Sequence, residues 1–127
     1  MWTVKVLTAP RSTQETALDY IRTGYNHQKL VFYSNNQTHG YGTNGRLWIS
    51  ADLAFAASFV FPLNIPVNNN SPRLLPILFA LIVARELEKQ EFRQRFNLKI
   101  KWPNDLYKND KKTAGILLHL VPKEING

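Results

Sequence analysis

The stretch "LKIKWPNDLYKNDKKTAGILLHLV", residues 98–121, decides the fold, because turn residues divide it into three extended segments. "LKIKW" (98–102) predicts a strand, Pro103-Asn104-Asp105 a turn, and "LY" a second extended segment. "KNDKK" (108–112) predicts another turn, and the apolar "TAGILLHLV" (113–121) predicts a buried strand. This part of the chain is therefore predicted as three consecutive strands joined by short turns.

The residues before this stretch predict a long helix that follows a surface loop. Residues 62–72 carry three prolines and the triplet "NNN", which is typical of a loop. From Arg73 to Phe96 the apolar residues recur with helical spacing, and Pro76 stands near the start, where proline is tolerated. The predicted apolar face consists of Leu75, Leu78, Phe79, Ile82 and Leu87.

The first part of the chain predicts a strand, a helix and two further strands. "WTVKVLT" (2–8) alternates as a strand does, and the helix that follows has Ser12 and Glu15 in capping-box spacing, an apolar face at Ala17, Leu18 and Ile21, and Gly24 at its end. "KLVFYS" (29–34) predicts a strand, residues 35–47 a polar glycine-rich loop, and "LAFAASFVFPL" (53–63) a central strand covered on both faces. The order β-α-β-β-α-β-β-β predicts an α+β fold with two helices packed on a mainly antiparallel or mixed sheet, as one domain over residues 1–127.

Composition excludes several classes of function. The 127 residues contain no cysteine, which excludes disulfides, thiol catalysis and cysteine-based zinc sites. The three histidines lack metal-ligand spacing, and the longest apolar run, "LLPILFALIVA", is too short to span a bilayer. The net charge of +7 is spread along the chain, which favours a site for small anions over nucleic-acid binding. We therefore expect a cytoplasmic protein.

Three segments carry candidate chemistry: "STQE" (12–15), "HGYGTNGRLW" (39–48), and "KWPNDLY" (101–107) with "KKTAGIL" (111–117) after it. Each has a structural explanation by itself. Ser12 is explained as a helix cap, the glycine loop as a hairpin connection, and "PND" as a turn flanked by surface lysines. Their joint order and spacing are more specific than any one of them.

Together the segments resemble the catalytic core of biotin protein ligases, within the biotin and lipoate ligase superfamily. The family pattern Ser-Thr-Asn reads Ser12-Thr13-Gln14 here, and the loop Gln-x-x-Gly-Arg-Gly-Arg-x-Gly-Arg-x-Trp runs from Gln37 to Trp48. "KWPNDLY" matches the third pattern in full, and Lys112 to Leu117 match Lys-x-Ala/Gly-Gly-Ile-Leu. The resemblance covers roughly residues 8–121 and implies a class II synthetase-like biotin/lipoate ligase core.

The resemblance implies ATP-dependent attachment of biotin to a lysine of a biotin carboxyl carrier protein, through biotinyl-5′-AMP and with Mg²⁺ accompanying ATP. Lys112 would be the main electrostatic catalyst, bridging the biotin carboxylate and the phosphate. The implied biotin-binding residues are Ser12, Thr13, Gln14, Gln37, Gly40, Tyr41, Gly42, Thr43, Lys112 and Gly115. The implied ATP-binding residues are Arg46, Trp48, Lys101, Asn104 and Asp105. No metal site in the protein alone is implied.

This chain departs from the family pattern where charge matters most. Tyr41 and Thr43 replace two loop arginines, Asn44 takes a third position that is often basic, and Arg46 remains. Loss of one preorganised contact to developing charge typically costs about 3 to 4 kcal/mol, or 10² to 10³ in rate. His119 stands where the family commonly has an acid.

The sequence leaves alternatives to the ligase open. Relative to the family we expect a core cut short at its C-terminus, without a winged-helix domain and without a C-terminal β-domain. A remnant that binds biotin or biotinyl-AMP with little turnover is the first alternative, and a lipoate or octanoate ligase is the second. The expected partners are biotin, ATP and the carrier protein, with no nucleic acid and no membrane. An open sheet edge leaves a homodimer as an alternative to a monomer.

Overall fold

The computed structural model describes residues 1–89 and 97–122, and the chain divides into two compact units, Met1–Ile65 and Pro66–Gly127. The elements follow one another as β-α-β-β-α-β-β-β, which confirms the predicted order and the α+β class. The strands form two three-stranded sheets, one in each unit, where the sequence predicted a single sheet.

The first unit contains β1 (Trp2–Val6), α1 (Thr13–Gly24), β2 (Lys29–Ser34) and β3 (Ala56–Val60). Strand β2 lies in the middle, parallel to β1 and antiparallel to β3. Helix α1 makes the crossover between β1 and β2, since parallel strands cannot be joined by a tight turn. The sheet is therefore mixed.

Helix α1 covers one face of this sheet and closes the core of the unit. It packs on β2 and β3, where Leu30, Phe32 and Val60 form a buried cluster with Ala17. Ile21 packs against the cluster while partly exposed, as the predicted apolar face of α1 requires. This packing fixes the first turn of α1 against β3.

The prediction of a central strand over residues 53–63 is wrong. Strand β3 is shorter and lies at the edge of its sheet, because β2 takes the central place between β1 and β3. Only the face of β3 toward α1 is buried, and Phe59 on the opposite face is 59% exposed. The run is apolar on both faces because Phe59 and Phe61 make ring contacts with Trp2 on the side away from α1.

The second unit contains α2 (Ser71–Lys89), β4 (Lys99–Lys101), β5 (Asp105–Lys108) and β6 (Lys111–Gly115). The three strands form an antiparallel meander, and α2 packs on β4 and β5. The helix begins two residues earlier than predicted, and residues 90–96 of the predicted helix lie outside the described residues. Of its predicted apolar face, Leu75 is buried, whereas Leu78, Ile82 and Leu87 are exposed, which corrects that part of the prediction.

The predicted buried strand over 113–121 is also wrong in its bounds. Asn109 and Asp110 both adopt positive φ, 50° and 60°, as the two-residue turn of a tight hairpin requires. Strand β6 therefore begins directly after this turn and ends at Gly115, mostly exposed. The predicted turn of residues 108–112 shrinks to these two residues. Within the described part of the chain, no helix is both long and apolar enough to cross a membrane.

Candidate functional site

The first turn of α1 is held by Ser12. Its hydroxyl oxygen accepts the backbone N–H groups of Gln14 and Glu15 at 3.2 and 3.4 Å. This confirms the predicted cap, which satisfies two of the N–H groups that a helix start leaves unpaired. Ser12 is buried, so its position is fixed by the helix.

A neutral polar cluster lies beside this cap and consists of Thr13, Gln14, Gln37 and Ser58. The Thr13 N–H donates to Gln37 Oε1 at 3.2 Å, which joins α1 to the loop after β2. The Ser58 hydroxyl lies 3.0 Å from Thr13 Oγ1 and 2.8 Å from Gln14 Oε1. Thr13 and Ser58 are buried. The structure thus brings three of the predicted biotin residues together: Gln37 meets the backbone of Thr13 directly, and a fourth residue, Ser58, meets the side chains of Thr13 and Gln14.

Ser58 was not among the residues predicted from the sequence. It stands on β3 within the apolar stretch "AFAASFVF" (54–61), on the face toward α1. A lone hydroxyl in such a run must find a partner when the run is buried, because an unpaired buried hydroxyl is costly. That was the signal in the sequence, but the identity of the partners needs the strand register.

The glycine loop forms a small hairpin. The Trp48 N–H donates to Gly40 O and the Gly42 N–H to Arg46 O, both at 2.8 Å. The Thr38 and His39 N–H groups donate to Pro10 O and Arg11 O at 2.9 and 2.7 Å. The loop is therefore anchored to the segment that leads into Ser12.

Two of the loop glycines are explained by their surroundings. A Cβ at Gly40 would overlap Gln37 Nε2, and Gly45 closes the turn with φ at +69°. At Gly42 the nearest atom to a Cβ would be Arg46 O at 3.9 Å, which is ordinary contact. The hairpin therefore explains Gly40 and Gly45, whereas it does not require glycine at Gly42.

The loop is poor in charge where the resemblance expects arginines. Burial raises the pKa of the Tyr41 phenol above its usual value, and the Glu15 carboxylate raises it further. Tyr41 is therefore neutral at physiological pH. Thr43 and Arg46 are exposed, and Arg46 is the only lysine or arginine of residues 39–48.

An open pocket of about 620 Å³ lies beside this loop. Of the predicted site residues, Gln37 and Trp48 line it, and the rest of its wall comes mainly from residues 35–38 and 47–53. Asp52 is the one charged residue in this lining. The pocket carries no cation of its own and suits the uncharged part of a ligand.

The second unit holds the charged candidates on the β5–β6 hairpin. Lys112 Nζ lies 2.9 Å from Asp105 Oδ1, and the two side chains are 38% and 22% exposed. Asn104 Nδ2 donates to Ile116 O at 2.8 Å, and the Ile116 N–H donates to Asn104 O at 2.9 Å. These two bonds close the hairpin beyond the pairing of Asp105 with Gly115.

The remaining predicted residues of this unit lie on the same hairpin or beside it. Lys101 ends β4, is exposed, and places its Nζ 5.4 Å from the ring centroid of Tyr107. Gly115 is the last residue of β6 and is exposed. In the described ranges no group of three or more His, Cys, Asp or Glu could hold a metal ion.

The comparisons with known proteins agree on one family. The family model described as "Biotin/lipoate A/B protein ligase family" matches residues 6–126. The bifunctional ligase/repressor BirA of Bacillus subtilis is 33% identical over 114 residues, which are 89% of this chain and 33% of that protein. The chain thus spans about a third of the length of this relative.

Two solved structures share the fold. The biotin acetyl coenzyme A carboxylase synthetase of Helicobacter pylori, with bound biotinylated ATP, matches with a TM-score of 0.68 and 26% identity over 93% of this chain and 55% of that one. The biotin protein ligase of Leishmania major, in complex with biotin, matches with a TM-score of 0.73 and 23% identity over 94% of this chain and 52% of that one.

Proposed function

Because the chain belongs to the biotin/lipoate A/B protein ligase family, we propose that it attaches biotin to a lysine of a biotin carboxyl carrier protein in an ATP-dependent reaction. The relative from Bacillus subtilis is a bifunctional ligase/repressor, and the synthetase from Helicobacter pylori holds biotinylated ATP. The ligand of the Helicobacter pylori synthetase supports biotin as the acid that is activated.

The observation that carries the proposal is the pair of Lys112 and Asp105 on neighbouring strands, 2.9 Å apart. Adenylation brings the biotin carboxylate to the α-phosphate of ATP, so two anions must approach each other. A cation at this point offsets their repulsion, and a carboxylate beside it can hold the magnesium that accompanies ATP. The pair supplies both groups.

The proposed reaction has two steps and needs no reactant besides biotin, ATP and the carrier lysine. A biotin carboxylate oxygen attacks the α-phosphorus and pyrophosphate leaves, which forms biotinyl-5′-AMP. The amine of the carrier lysine then attacks the acyl carbon, loses a proton, and releases AMP. Lys112 would stabilise the charge that develops on the α-phosphate in the first step, while Lys101 and Asn104 would orient the nucleotide.

The first unit would bind the biotin head group. Ser12 and Thr13 are buried, and Gln14 and Gln37 are partly buried beside them, so all four would offer polar groups to the head group. Gly42 would let the ligand approach the backbone closely, as its open surroundings allow. Trp48, in the wall of the open pocket, would pack against the adenine. Arg46 would meet the phosphate as the remaining cation of the loop.

A second function is favoured by the neutral loop. With Tyr41 uncharged and threonine at position 43, the loop lacks two of the positive charges that the family pattern has there and that would stabilise the transition state. A protein with this loop would bind biotin and its adenylate but turn over slowly. The two functions differ in rate and share the ligand.

Biotin-dependent exchange of labelled pyrophosphate into ATP tests the proposal. We expect exchange with biotin that requires Mg²⁺ and falls on Lys112→Ala, and none with lipoate. Biotin binding without exchange would support the slow-turnover alternative. Exchange with lipoate in place of biotin would contradict the choice of acid and assign the chain to the lipoate branch of the family.

A further inference from the structure

We infer that Tyr107 is a positioning residue: its ring holds Lys101 away from Asp105 and keeps the lysine available to the nucleotide. The inference rests on the proposed function, because Lys101 is one of the residues that would orient ATP there. Tyr107 acts through Lys101 and need not touch the nucleotide itself.

One face of the sheet in the second unit carries Lys99, Lys101, Asp105 and Tyr107. Strands β4 and β5 are antiparallel, with Lys99 opposite Tyr107 and Lys101 opposite Asp105. Residues that stand opposite each other point to the same side of a sheet, and side chains alternate between the two sides along a strand. Leu106 therefore points to the other side, where it is fully buried. The charged side chains lie together on the side away from Leu106.

A β-bulge brings Lys112 to the same side. The register between β5 and β6 shifts by one residue, so that Lys112 rather than Thr113 stands opposite Tyr107. Without this shift, Lys112 would point to the side of Leu106, because side chains alternate along a strand. Bulges redirect side chains in this way. Lys112 consequently reaches Asp105, with its Nζ 2.9 Å from Oδ1.

Asp105 thus stands beside two lysines and pairs with one of them. Lys101 is its register partner, yet the carboxylate is bound by Lys112, and within the described residues no ion pair is made by Lys101. Lys101 Nζ lies instead 5.4 Å from the ring centroid of Tyr107. A cation within about 6 Å of an aromatic centroid is attracted to the negative face of the ring. The ring therefore competes with the carboxylate for Lys101.

The ring contact keeps the charge of Lys101 available to an anionic ligand. An ion pair with Asp105 would occupy ammonium donors, and the ATP phosphates would have to displace the carboxylate. A ring attracts the charge but leaves the three N–H donors of a lysine for other partners. Lys99 stands directly opposite Tyr107, but in the part of the chain that the structure describes it makes no such ring contact. Of these two neighbouring lysines, the ring therefore positions Lys101.

Titration calorimetry with Mg²⁺ and a non-hydrolysable ATP analogue tests the inference. We expect Tyr107→Leu to weaken binding of the analogue by about three- to fivefold, because Lys101 then turns to Asp105. In pyrophosphate exchange the same variant should raise the KM for ATP by a similar factor and leave kcat unchanged. Tyr107→Phe keeps the ring and should behave as the wild type does. An equal loss in Tyr107→Phe would overturn the inference.

Double variants separate positioning from a general effect on the hairpin. In a Lys101→Ala background, Tyr107→Leu should not weaken the analogue further, because the lysine that the ring positions is gone. In a Lys99→Ala background, the full effect of Tyr107→Leu should persist. A loss of the same size in both backgrounds would overturn the role of the ring, since a structural effect does not depend on which lysine is present.

Tyr107→Val is a second variant without a ring, and its β-branched side chain suits a strand, so the test does not depend on the folding of Tyr107→Leu. Wild-type protein that binds the analogue without biotin-dependent exchange would contradict the proposed function, while the variants would still decide the role of Tyr107. Wild-type protein that exchanges, with both ring-free variants unchanged, would overturn only that role. Wild-type protein that binds no analogue would overturn both.

Discussion

The polar cluster of the first unit and the Lys112–Asp105 pair of the second unit differ in charge and in burial. The cluster is neutral, and its members Thr13 and Ser58 are buried with partners for each hydroxyl. The pair is charged and stays partly open to water. Neutral groups can be buried once they are hydrogen-bonded, whereas charges lose more in leaving water than a single partner returns.

This difference in burial and charge suits the two regions to different roles. A buried, satisfied cluster has a fixed donor and acceptor pattern, which suits selection of a ligand. A partly exposed ion pair is held weakly, which suits groups that must change partners when an anionic nucleotide arrives. We therefore expect substitutions in the cluster to change specificity and stability, and substitutions in the pair to change rate.

The largest effect is expected from breaking the charged region. Lys112→Ala should lower the rate of biotin-dependent pyrophosphate exchange by a factor of about 10² to 10³, because it removes a preorganised contact to the charge that develops on the α-phosphate. Lys111→Ala is the matched control, since Lys111 is the exposed neighbour on the same strand. Equal losses in the two variants would mean that charge in general, rather than the position of Lys112, drives the rate.

The next largest effect is expected on stability, from a glycine substitution next to the neutral cluster. Gly40→Ala should lower the free energy of unfolding by about 0.5 to 1.5 kcal/mol, because the new Cβ displaces the Gln37 side chain, which then gives up the hydrogen bond from the Thr13 N–H. Gly42→Ala in the same hairpin should change it little, since its Cβ meets nothing closer than 3.9 Å. Urea unfolding of both variants checks this, and a larger loss for Gly42→Ala would contradict the hairpin geometry.

A third substitution sharpens the comparison by adding a positive charge to the glycine loop of the first unit. Thr43→Arg should raise the exchange rate by about tenfold or more, because the exposed loop regains one cation toward the phosphate. Thr43→Met has similar length without the charge and should leave the rate unchanged. No gain from arginine would show that the loop does not limit adenylation.

The element order and most helix and strand positions were predictable because they depend on local signals. The cap at Ser12 and the apolar positions Ala17 and Ile21 of α1 follow from short-range patterns, and they are confirmed. The place of β3 at a sheet edge depends on pairing across distant segments, which an apolar run does not reveal. The start of β6 depends on positive φ at Asn109 and Asp110, where a short turn and a longer one have similar composition.

The site residues show the same limit. The resemblance named Thr13, Gln14 and Gln37, and the structure brings them together, but Ser58 enters through the register of β3. Nothing in the sequence indicated that the missing Cβ of Gly40 leaves space for the Gln37 side chain, whereas that of Gly42 does not. Residue types indicate which chemistry is available, and the strand register decides which of those residues meet.

The smallest effect is expected from the ion pair as a source of stability. Asp105→Asn should change the free energy of unfolding by less than about 1 kcal/mol, because both partners are partly exposed and water already solvates each charge. Asp110→Asn is the control, since asparagine also tolerates the positive φ of that turn position. Urea unfolding at low and high salt checks this, and the small loss should shrink further as salt screens the pair. A loss above 2 kcal/mol that survives high salt would mean that the pair is structural, and Lys112 would then have to break a strong contact before it could meet an anionic ligand.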